Sequence, residues 1–280
     1  MKRNKRLVAI TLAATLSLGV VGCASKGGES LETDTKNITV GVCPGPYGDM
    51  VKECIAPYLE ANGYEVEVKE FSDYIQPDKA LNNREIDANL MQHTVYLEKF
   101  SADNNLDISA VISVPTAGMG IFSNNLKSLS ELGEGGKVAI PNDPSNLARA
   151  LTLLETQGLI KIDSNVDDTK ATKNDITENS KNLEFLEVEA AQLARSISSA
   201  DIALVPGNYA IASGLDFSEA LAIEELSEEY KNVVAVRTED LDKDLGKDLK
   251  EAVESEEFRN AIESGKYKDF NKPEWYVNAN

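Results

Sequence analysis

Residues 38–71 have the sequence ITVGVCPGPYGDMVKECIAPYLEANGYEVEVKEF, and this stretch decides the fold class. The β-branched run Ile38–Val42 predicts a strand, and the Pro/Gly turn that follows ends it. Apolar side chains recur at helical spacing over residues 47–61, and residues 65–71 alternate as a second strand does. A strand–helix–strand unit of this kind implies a parallel sheet with a right-handed crossover.

The alternation of strands and helices continues along the chain. A helix near residues 75–83 and a strand at 87–91 extend the first unit, and an extended stretch at 110–123 leads into a second. The remaining predicted elements lie at residues 137–140, 146–157, 183–188, 190–197, 202–205, 232–236, 243–254 and 256–264. Two α/β units in series predict two lobes with a cleft between them, and a ligand in such a fold binds beyond the carboxyl ends of the strands.

The composition excludes several classes of function. Lys and Arg number 28 and Asp and Glu 47, so the formal charge is −19, and such a chain has too few basic groups to bind a nucleic acid. The single His excludes a multi-His metal site, and three Cys form neither a zinc framework nor a dense disulfide scaffold. Dinucleotide and P-loop glycine motifs are absent, so we expect no metal and no cofactor. The acidic stretch at residues 224–257 is interpreted as a solvated surface.

The N-terminal segment has the features of a lipoprotein signal peptide, which we assign to residues 1–22. Four Lys and Arg side chains precede an uncharged run at residues 7–21, which is short for a bilayer core of about 30 Å. The run ends VVGC, which resembles a bacterial lipobox and predicts a lipidated Cys23. A membrane-spanning anchor and an unmodified Cys are the alternatives. Residues 23–37 are then the lipidated Cys and a flexible polar tether.

One predicted helix begins with a pattern that suits a carboxylate ligand. Asp143 is a good N-cap and Pro144 a good first helical residue. Arg149 lies three residues after Asn146, so both side chains share one helix face, where a guanidinium can take a carboxylate bidentately. A capped helix with a solvated Arg is the alternative interpretation.

Two strand exits carry side chains typical of a small-molecule pocket. Met91, His93 and Tyr96 follow one strand and Tyr74 follows another, which places aromatic, thioether and polar groups together. Packing of these side chains into the core is the alternative. His93 has no nucleophile motif near it, so catalysis by this residue is not expected.

Cys43 and Cys54 leave two alternatives open. Outside the cytoplasm they form a disulfide if their Cα atoms lie within about 7 Å, and otherwise they are buried thiols.

Several blocks of residues 38–280, together with the lipobox, resemble the NlpA lipoprotein family, the methionine-binding lipoproteins of ABC importers. The blocks, with a hyphen for each residue outside the resemblance, are ITVGV, NGYEVEV-EFSDYIQP--AL----IDAN--QH--YL, IPNDPSN-ARAL--L---GLI and NYA---GL. The resemblance implies a type II periplasmic-binding-protein fold, with two α/β lobes and a ligand cleft at the hinge. Residues 38–116 with 236–280 would form the first lobe and residues 117–235 the second.

The resemblance also implies the ligand-binding residues. The methionine side-chain pocket falls on Tyr74, Met91, His93 and Tyr96, and the polar clamp falls on Asn146 and Arg149.

Two departures from the family pattern concern the ligand. Met91 stands where the family usually has Phe, beside Val95 in place of Pro, and keeps the site apolar but more pliable. Pro206 stands where the family commonly has a ligand-binding Asn, and proline offers no donor. Asn208 replaces that Asn if the segment is extended, because residues i and i+2 then point the same way. Otherwise the ligand is a related amino acid or a short methionine-containing peptide.

The expected function is therefore that of an extracytoplasmic, lipid-anchored, monomeric substrate-binding lipoprotein. It would bind methionine or a close relative, deliver it to an ABC permease and catalyse no reaction. Two alternatives are a hydrolase on the same fold that uses His93, and a surface adhesion or signalling lipoprotein with a vestigial cleft.

Overall fold

A computed structural model of the chain describes residues 36–279. The predicted signal peptide of residues 1–22, the lipidated Cys23 and most of the predicted tether therefore lie outside the described residues. The last two residues of the predicted tether, Lys36 and Asn37, belong instead to the first strand.

The described chain forms two five-stranded sheets and one small two-stranded sheet. The strands are β1 (Lys36–Val42), β2 (Tyr64–Glu70), β3 (Ala88–His93), β4 (Ile108–Ser113), β5 (Gly120–Phe122), β6 (Lys137–Pro141), β7 (Lys161–Ile162), β8 (Ile176–Glu178), β9 (Glu184–Val188), β10 (Ile202–Val205), β11 (Ala222–Ile223) and β12 (Asn232–Arg237). The helices are α1 (Pro46–Met50), α2 (Ala56–Ala61), α3 (Ile75–Asn82), α4 (Thr94–Asn104), α5 (Pro144–Thr156), α6 (Leu193–Ser196), α7 (Gly207–Ala212), α8 (Asp244–Glu254), α9 (Glu256–Ser264) and α10 (Glu274–Asn278).

Lobe 1 is the sheet with the strand order β2-β1-β3-β12-β4 and the helices packed on it. Strand β1 pairs in parallel with β2 and β3, as the strand–helix–strand pattern predicts, whereas β12 pairs antiparallel with β3 and β4. The C-terminal helices return to this lobe, because Leu249 of α8 and Phe258 of α9 share one buried cluster with Val40 of β1 and Leu59 of α2.

Lobe 2 is the sheet with the strand order β11-β5-β10-β6-β9 and its helices. Strand β6 is parallel to β9 and β10, and β5 is antiparallel to β10 and β11. Ile140 of β6, Leu151 of α5 and Leu204 of β10 lie in its core, so the apolar face of α5 covers the sheet. The polar start of α5 is thereby left at the carboxyl end of β6.

The chain crosses between the lobes twice, at residues 114–119 and 224–231. Two α/β lobes with two crossovers form the type II periplasmic-binding-protein fold, and the predicted fold class is confirmed. Strand β12 begins at Asn232, so the predicted lobe boundary at residue 236 falls inside this strand.

Three elements differ from the sequence pattern. The helix predicted over residues 47–61 is divided into α1, a π-helical turn at Val51–Ile55 and α2. Helix α4 was not predicted, and its buried residues are only Tyr96 and Leu97, which leaves little helical periodicity to detect. Helix α7 begins directly after Pro206, whereas the sequence pattern predicts no helix there.

Cys43 and Cys54 are both free and buried, so the alternative of two buried thiols is the observed one. Burial raises the pKa of Cys54 to about 11 and raises that of Cys43 further, and both side chains are therefore neutral thiols at neutral pH.

Gly45, in the turn after β1, leaves no room for a side chain against the backbone of α7. Its φ is +127°, and a Cβ added there would lie 2.6 Å from the carbonyl oxygen of Asn208 in lobe 2. We expect Gly45→Ala to lower the free energy of unfolding by about 1–3 kcal/mol through backbone strain and overpacking, measured by urea unfolding.

Gly63→Ala is the matched control for this prediction. Gly63 also has positive φ, +85°, but nothing lies within 4 Å of its added Cβ. We expect the control to lose less stability and to keep its ligand affinity, whereas Gly45→Ala weakens ligand binding because it opposes contact between the lobes. Equal effects of the two substitutions on stability and affinity would contradict this account.

Candidate functional site

The candidate site lies where the carboxyl ends of the strands of the two lobes face each other. Described contacts join six of the seven residues that the sequence analysis assigned to the ligand: Tyr74, His93, Tyr96, Asn146, Arg149 and Asn208. The seventh, Met91, is 2% exposed and lies in β3, two residues before His93. Their roles toward a ligand remain a prediction, but their positions coincide with the predicted cleft.

Aromatic rings form one side of the site. The ring centroid of Tyr74 lies 5.7 Å from that of Tyr96 and 5.0 Å from that of Tyr209. Tyr96 in turn stacks on Phe100 in the same helix. Three tyrosines from different elements thus converge, and such rings provide a large apolar surface at little cost in side-chain entropy.

His93 is a neutral, fixed side chain. It caps α4, where its Nδ1 accepts the backbone N–H of Tyr96 at 3.1 Å, so the ring proton is assigned to Nε2, which lies 3.2 Å from Oδ1 of Asn146. Burial, reinforced by the nearby Arg149 guanidinium, lowers the pKa of His93 to about 3. Its affinity for a proton is therefore far below that of an effective general base at neutral pH.

Helix α5 positions the polar part of the site. Asp143 is its N-cap and accepts the backbone N–H of Asn146 at 2.9 Å, as the sequence pattern predicts. Asp143 also accepts the side-chain amide of Asn146, which orients Oδ1 of that amide toward His93 and Arg149. Burial raises the pKa of Asp143.

Arg149 is buried in the cleft and already has a carboxylate partner. Its side chain is 5% exposed, and its Nε donates to both carboxylate oxygens of Glu224, at 2.8 and 2.9 Å, while Nη2 donates to Oε2 at 2.6 Å. Nη1 donates to Asn146 at 3.3 Å. Of the five N–H groups of a guanidinium, one on Nη1 and one on Nη2 thus have no partner among residues 36–279.

The charged form of Arg149 is maintained in spite of its burial. Burial lowers the pKa of the guanidinium, but the adjoining Glu224 carboxylate outweighs that effect, and the net shift is upward. The interpretation of residues 224–257 as a wholly solvated surface is therefore wrong at its first residue, since the Glu224 side chain is only 10% exposed.

Asn208 connects the two lobes. Its Oδ1 accepts the hydroxyl of Tyr74 at 2.6 Å, and its Nδ2 donates to the backbone oxygen of Pro44 at 3.1 Å. The extended segment that an i, i+2 relation between residues 206 and 208 requires is not observed, because Asn208 lies in α7. The role of Asn208 toward a ligand stays a prediction.

Besides Tyr209 and Phe100, three residues of the polar part of the site were not predicted from the sequence. Glu224 and Tyr230 belong to the second crossover, and the Cζ atom of Arg149 lies 5.5 Å from the ring centroid of Tyr230. Asn232, 6% exposed, is opposite His93 in the register of β12 and β3. Of these three residues, only Asn232 has a local signal in the sequence, because it is a polar residue at the start of an apolar strand.

Two cavities open on the site. One, of about 280 Å³, lies between the lobes at the start of α5 and is lined by Tyr96, Phe100 and Asp143 among others. The other, of about 630 Å³, lies beside Arg149, Glu224 and Tyr230.

The described part of the chain contains neither a candidate metal site nor a candidate membrane span. No group of three or more His, Cys, Asp or Glu side chains within residues 36–279 is placed to hold a metal ion. None of the helices in that range combines the length and apolar character that a membrane crossing requires.

Comparison with known proteins identifies the family. The model of the NlpA lipoprotein family matches residues 38–275. The chain belongs to this family. One relative, the D-methionine-binding lipoprotein MetQ of Escherichia coli K12, is 36% identical over 247 residues, which cover 86% of this chain and 88% of the relative.

Solved structures of binding proteins are similar to this chain in sequence and in fold. A nutrient-binding protein from Burkholderia cenocepacia bound to methionine is 38% identical and superposes with a TM-score of 0.77, over 83% of this chain and 97% of that one. A periplasmic substrate-binding protein of an ABC transporter from Coxiella burnetii is 37% identical with a TM-score of 0.75, over 81% and 96% of the two chains. The resemblance found in the sequence blocks is thus confirmed at the level of the NlpA family.

Proposed function

We propose that this NlpA lipoprotein binds methionine, a closely related amino acid or a short methionine-containing peptide between its lobes and delivers it to an ABC permease. The observation that carries the proposal is the buried guanidinium of Arg149, which retains two N–H donors beside a group of aromatic rings. The names of its relatives, which include methionine-binding lipoproteins and an ABC transporter component, support the same ligand class.

The ligand carboxylate is assigned to Arg149. A buried guanidinium with one N–H left on each terminal nitrogen matches the two oxygens of a carboxylate. Because the side chain is 5% exposed, this interaction forms with little screening by water.

The ligand side chain is assigned to the aromatic side of the cleft. Tyr74 and Tyr96 provide ring edges and faces, and Met91 provides a polarizable group from β3. A thioether gains about 0.3–1.5 kcal/mol from contact with an aromatic ring, beyond the area it buries. We assign the ligand ammonium to the buried amide of Asn232, which is beside His93 in the sheet register.

Trapping of the ligand requires that the lobes close on it. Hydrogen bonds from Tyr74 to Asn208, from Asn208 to Pro44 and from Tyr209 to Ser72 hold the facing surfaces together. We propose that the crossovers at residues 114–119 and 224–231 act as hinges, and that the permease recognises the closed form by its differential affinity.

The chain is proposed to act as a monomeric binder and not as an enzyme. Both ring nitrogens of His93 are engaged by amides, one by the Tyr96 backbone and one by the Asn146 side chain. A hydrolase that used His93 would need a hydroxyl or thiol nucleophile in that position. The interlobe hydrogen bonds and the buried ion pair also argue against a vestigial cleft.

A thermal-shift screen of the twenty amino acids and of dipeptides that contain methionine tests this function. A ligand that binds only the folded state must raise the midpoint of unfolding. We expect methionine or a methionine-containing dipeptide to give the largest shift, and glutamate and lysine to give none. A screen in which no amino acid or dipeptide raises the midpoint would contradict the proposal.

Lipid anchorage on the extracytoplasmic face of the cell membrane is proposed through Cys23. Its relatives are named lipoproteins, and the sequence VVGC precedes the polar tether. We expect Cys23→Ala to move the protein from the membrane fraction to the soluble fraction with its ligand affinity intact. Cys54→Ala is the control and should stay with the membrane. A Cys23→Ala protein that remains in the membrane fraction would instead assign the anchor to residues 7–21.

A further inference from the structure

Arg149 is held by the second crossover on two sides. Glu224, the first residue of this segment, engages Nε and Nη2 of the guanidinium, and the ring of Tyr230, near its end, lies 5.5 Å from Cζ. Oε2 of Glu224 also accepts the backbone N–H of Met119, in the first crossover, at 2.9 Å. The two crossovers therefore fix Glu224, and Glu224 fixes the guanidinium.

We infer that Glu224 is the positioning residue of the ligand clamp and that, by neutralising Arg149, it selects ligands with no net charge over anions. This inference rests on the proposed function, because it takes Arg149 as the group that receives the ligand carboxylate.

The positioning argument follows from the edges of the guanidinium. Glu224 occupies the edge formed by Nε and Nη2, so the end formed by Nη1 and Nη2 is the one left to face a ligand. Without Glu224 on the edge formed by Nε and Nη2, the Arg149 side chain would lose the bidentate contact. That contact sets the orientation of the guanidinium plane and its distance from the ligand. A carboxylate one methylene shorter cannot reach the same atoms from the same backbone position.

The selectivity argument follows from the charges around the cleft. Arg149 and Glu224 cancel each other, Asp143 contributes a carboxylate at the start of α5, and burial keeps His93 neutral. A zwitterion brings an ammonium together with its carboxylate and leaves the total charge unchanged. An anion adds a second uncompensated negative charge to a buried region, which is unfavourable.

The test uses the full-length chain in detergent and two probes, L-methionine and 4-(methylsulfanyl)butanoate, which is methionine without its amino group. Calorimetry gives the ratio of the two affinities for the wild type and for Glu224→Gln. Loss of the ammonium contacts lowers the affinity of the anion for both proteins equally, so a change in the ratio reports the charge of residue 224. We expect Glu224→Gln to reduce the preference for methionine by about tenfold or more, which is roughly 1.4 kcal/mol.

Two further variants separate the effect of the charge at residue 224 from the effect of its carboxylate position and from a general loss of folding. Glu219→Gln removes the same charge from an exposed residue that lines neither cavity, and it should leave both affinities unchanged. Glu224→Asp keeps the charge but shortens the side chain, so both affinities should fall together with their ratio preserved. This variant also tests the positioning role if Glu224→Gln does not fold, which its unfolding midpoint without ligand will show.

The inference is overturned if Glu224→Gln folds and has the wild-type ratio, or if Glu224→Asp binds methionine as tightly as the wild type. Either outcome leaves the proposed function intact, because the wild type still binds methionine. A wild-type protein that binds neither methionine nor any other amino acid is a different result, which contradicts the proposed function itself.

Discussion

Replacement of Arg149 by alanine is expected to weaken methionine binding by about 2–5 kcal/mol, the range for loss of one partner of a buried, hydrogen-bonded charge pair. The guanidinium is the cationic group that hydrogen-bonds to Asn146 and Glu224 in the site, and it is 5% exposed. Isothermal titration calorimetry measures the effect. A loss of affinity below about tenfold, or roughly 1.4 kcal/mol, would contradict the role of Arg149 as carboxylate receptor.

Arg149→Ala also leaves the Glu224 carboxylate buried without its partner, which lowers the stability of the protein. A loss of affinity caused by this instability has to be distinguished from one caused by the missing contact with the ligand. The double variant Arg149→Met, Glu224→Gln removes both charges and keeps similar volumes. Replacing a buried ion pair in this way is often neutral for stability. We expect the double variant to recover the unfolding midpoint but not the affinity. Recovery of affinity would assign the loss in Arg149→Ala to misfolding.

The second large effect is on the pH dependence of stability, and it comes from Asp78, a residue of α3 whose carboxyl group is buried. Its Oδ1 accepts the side-chain amides of Asn89 and Gln92 at 2.9 and 2.6 Å, whereas its Oδ2 and Oε1 of Gln92 are both buried without a hydrogen-bond partner among the described residues. Burial raises the pKa of Asp78 to about 7, although the two amides oppose the shift. An ionised carboxylate at this position is therefore unfavourable.

Asp78→Asn is expected to stabilise the protein at neutral and alkaline pH. The folded-state pKa of Asp78 lies above its unfolded value, so its favourable contribution is complete below about pH 4 and is lost as the pH rises to about 7. Asparagine does not titrate, so it avoids the cost of an ionised carboxylate in this buried position. The gain should grow by up to about 1.4 kcal/mol per pH unit across this range and then level off.

Urea unfolding at pH 4, 5.5 and 8 measures this gain. Asp107→Asn, which makes the same change at an exposed position, is the matched control. A gain for Asp78→Asn that is the same at pH 4 and pH 8 would show that Asp78 does not titrate abnormally.

The sequence predicted those parts of the fold and site that depend on local signals. The runs of β1 and β10 have enough β-branched and apolar residues to mark strands, and the cap at Asp143 followed by an amphipathic face marks α5 and places Arg149 on it. The strand exits then bring Tyr74 and His93 to the same cleft, because parallel strands end at one edge of a sheet.

The remaining parts depend on contacts between distant residues. Glu224 is one of many carboxylates in an acidic stretch, and only the fold brings it to Arg149, 75 residues away in the sequence. Helix α7 has six residues and no periodicity to detect, so the position of Asn208 could not be derived from its spacing to Pro206. The ion pair that defines the clamp is therefore a tertiary feature that no local pattern encodes.

A crystal structure of the protein with L-methionine tests the central claim most directly, since the claim is a placement of ligand atoms. We predict one methionine between the lobes, with its carboxylate within hydrogen-bond distance of Nη1 and Nη2 of Arg149 and its thioether among Tyr74, Met91 and Tyr96. A methionine bound outside this cleft, or bound within it with its carboxylate directed away from Arg149, would contradict the account.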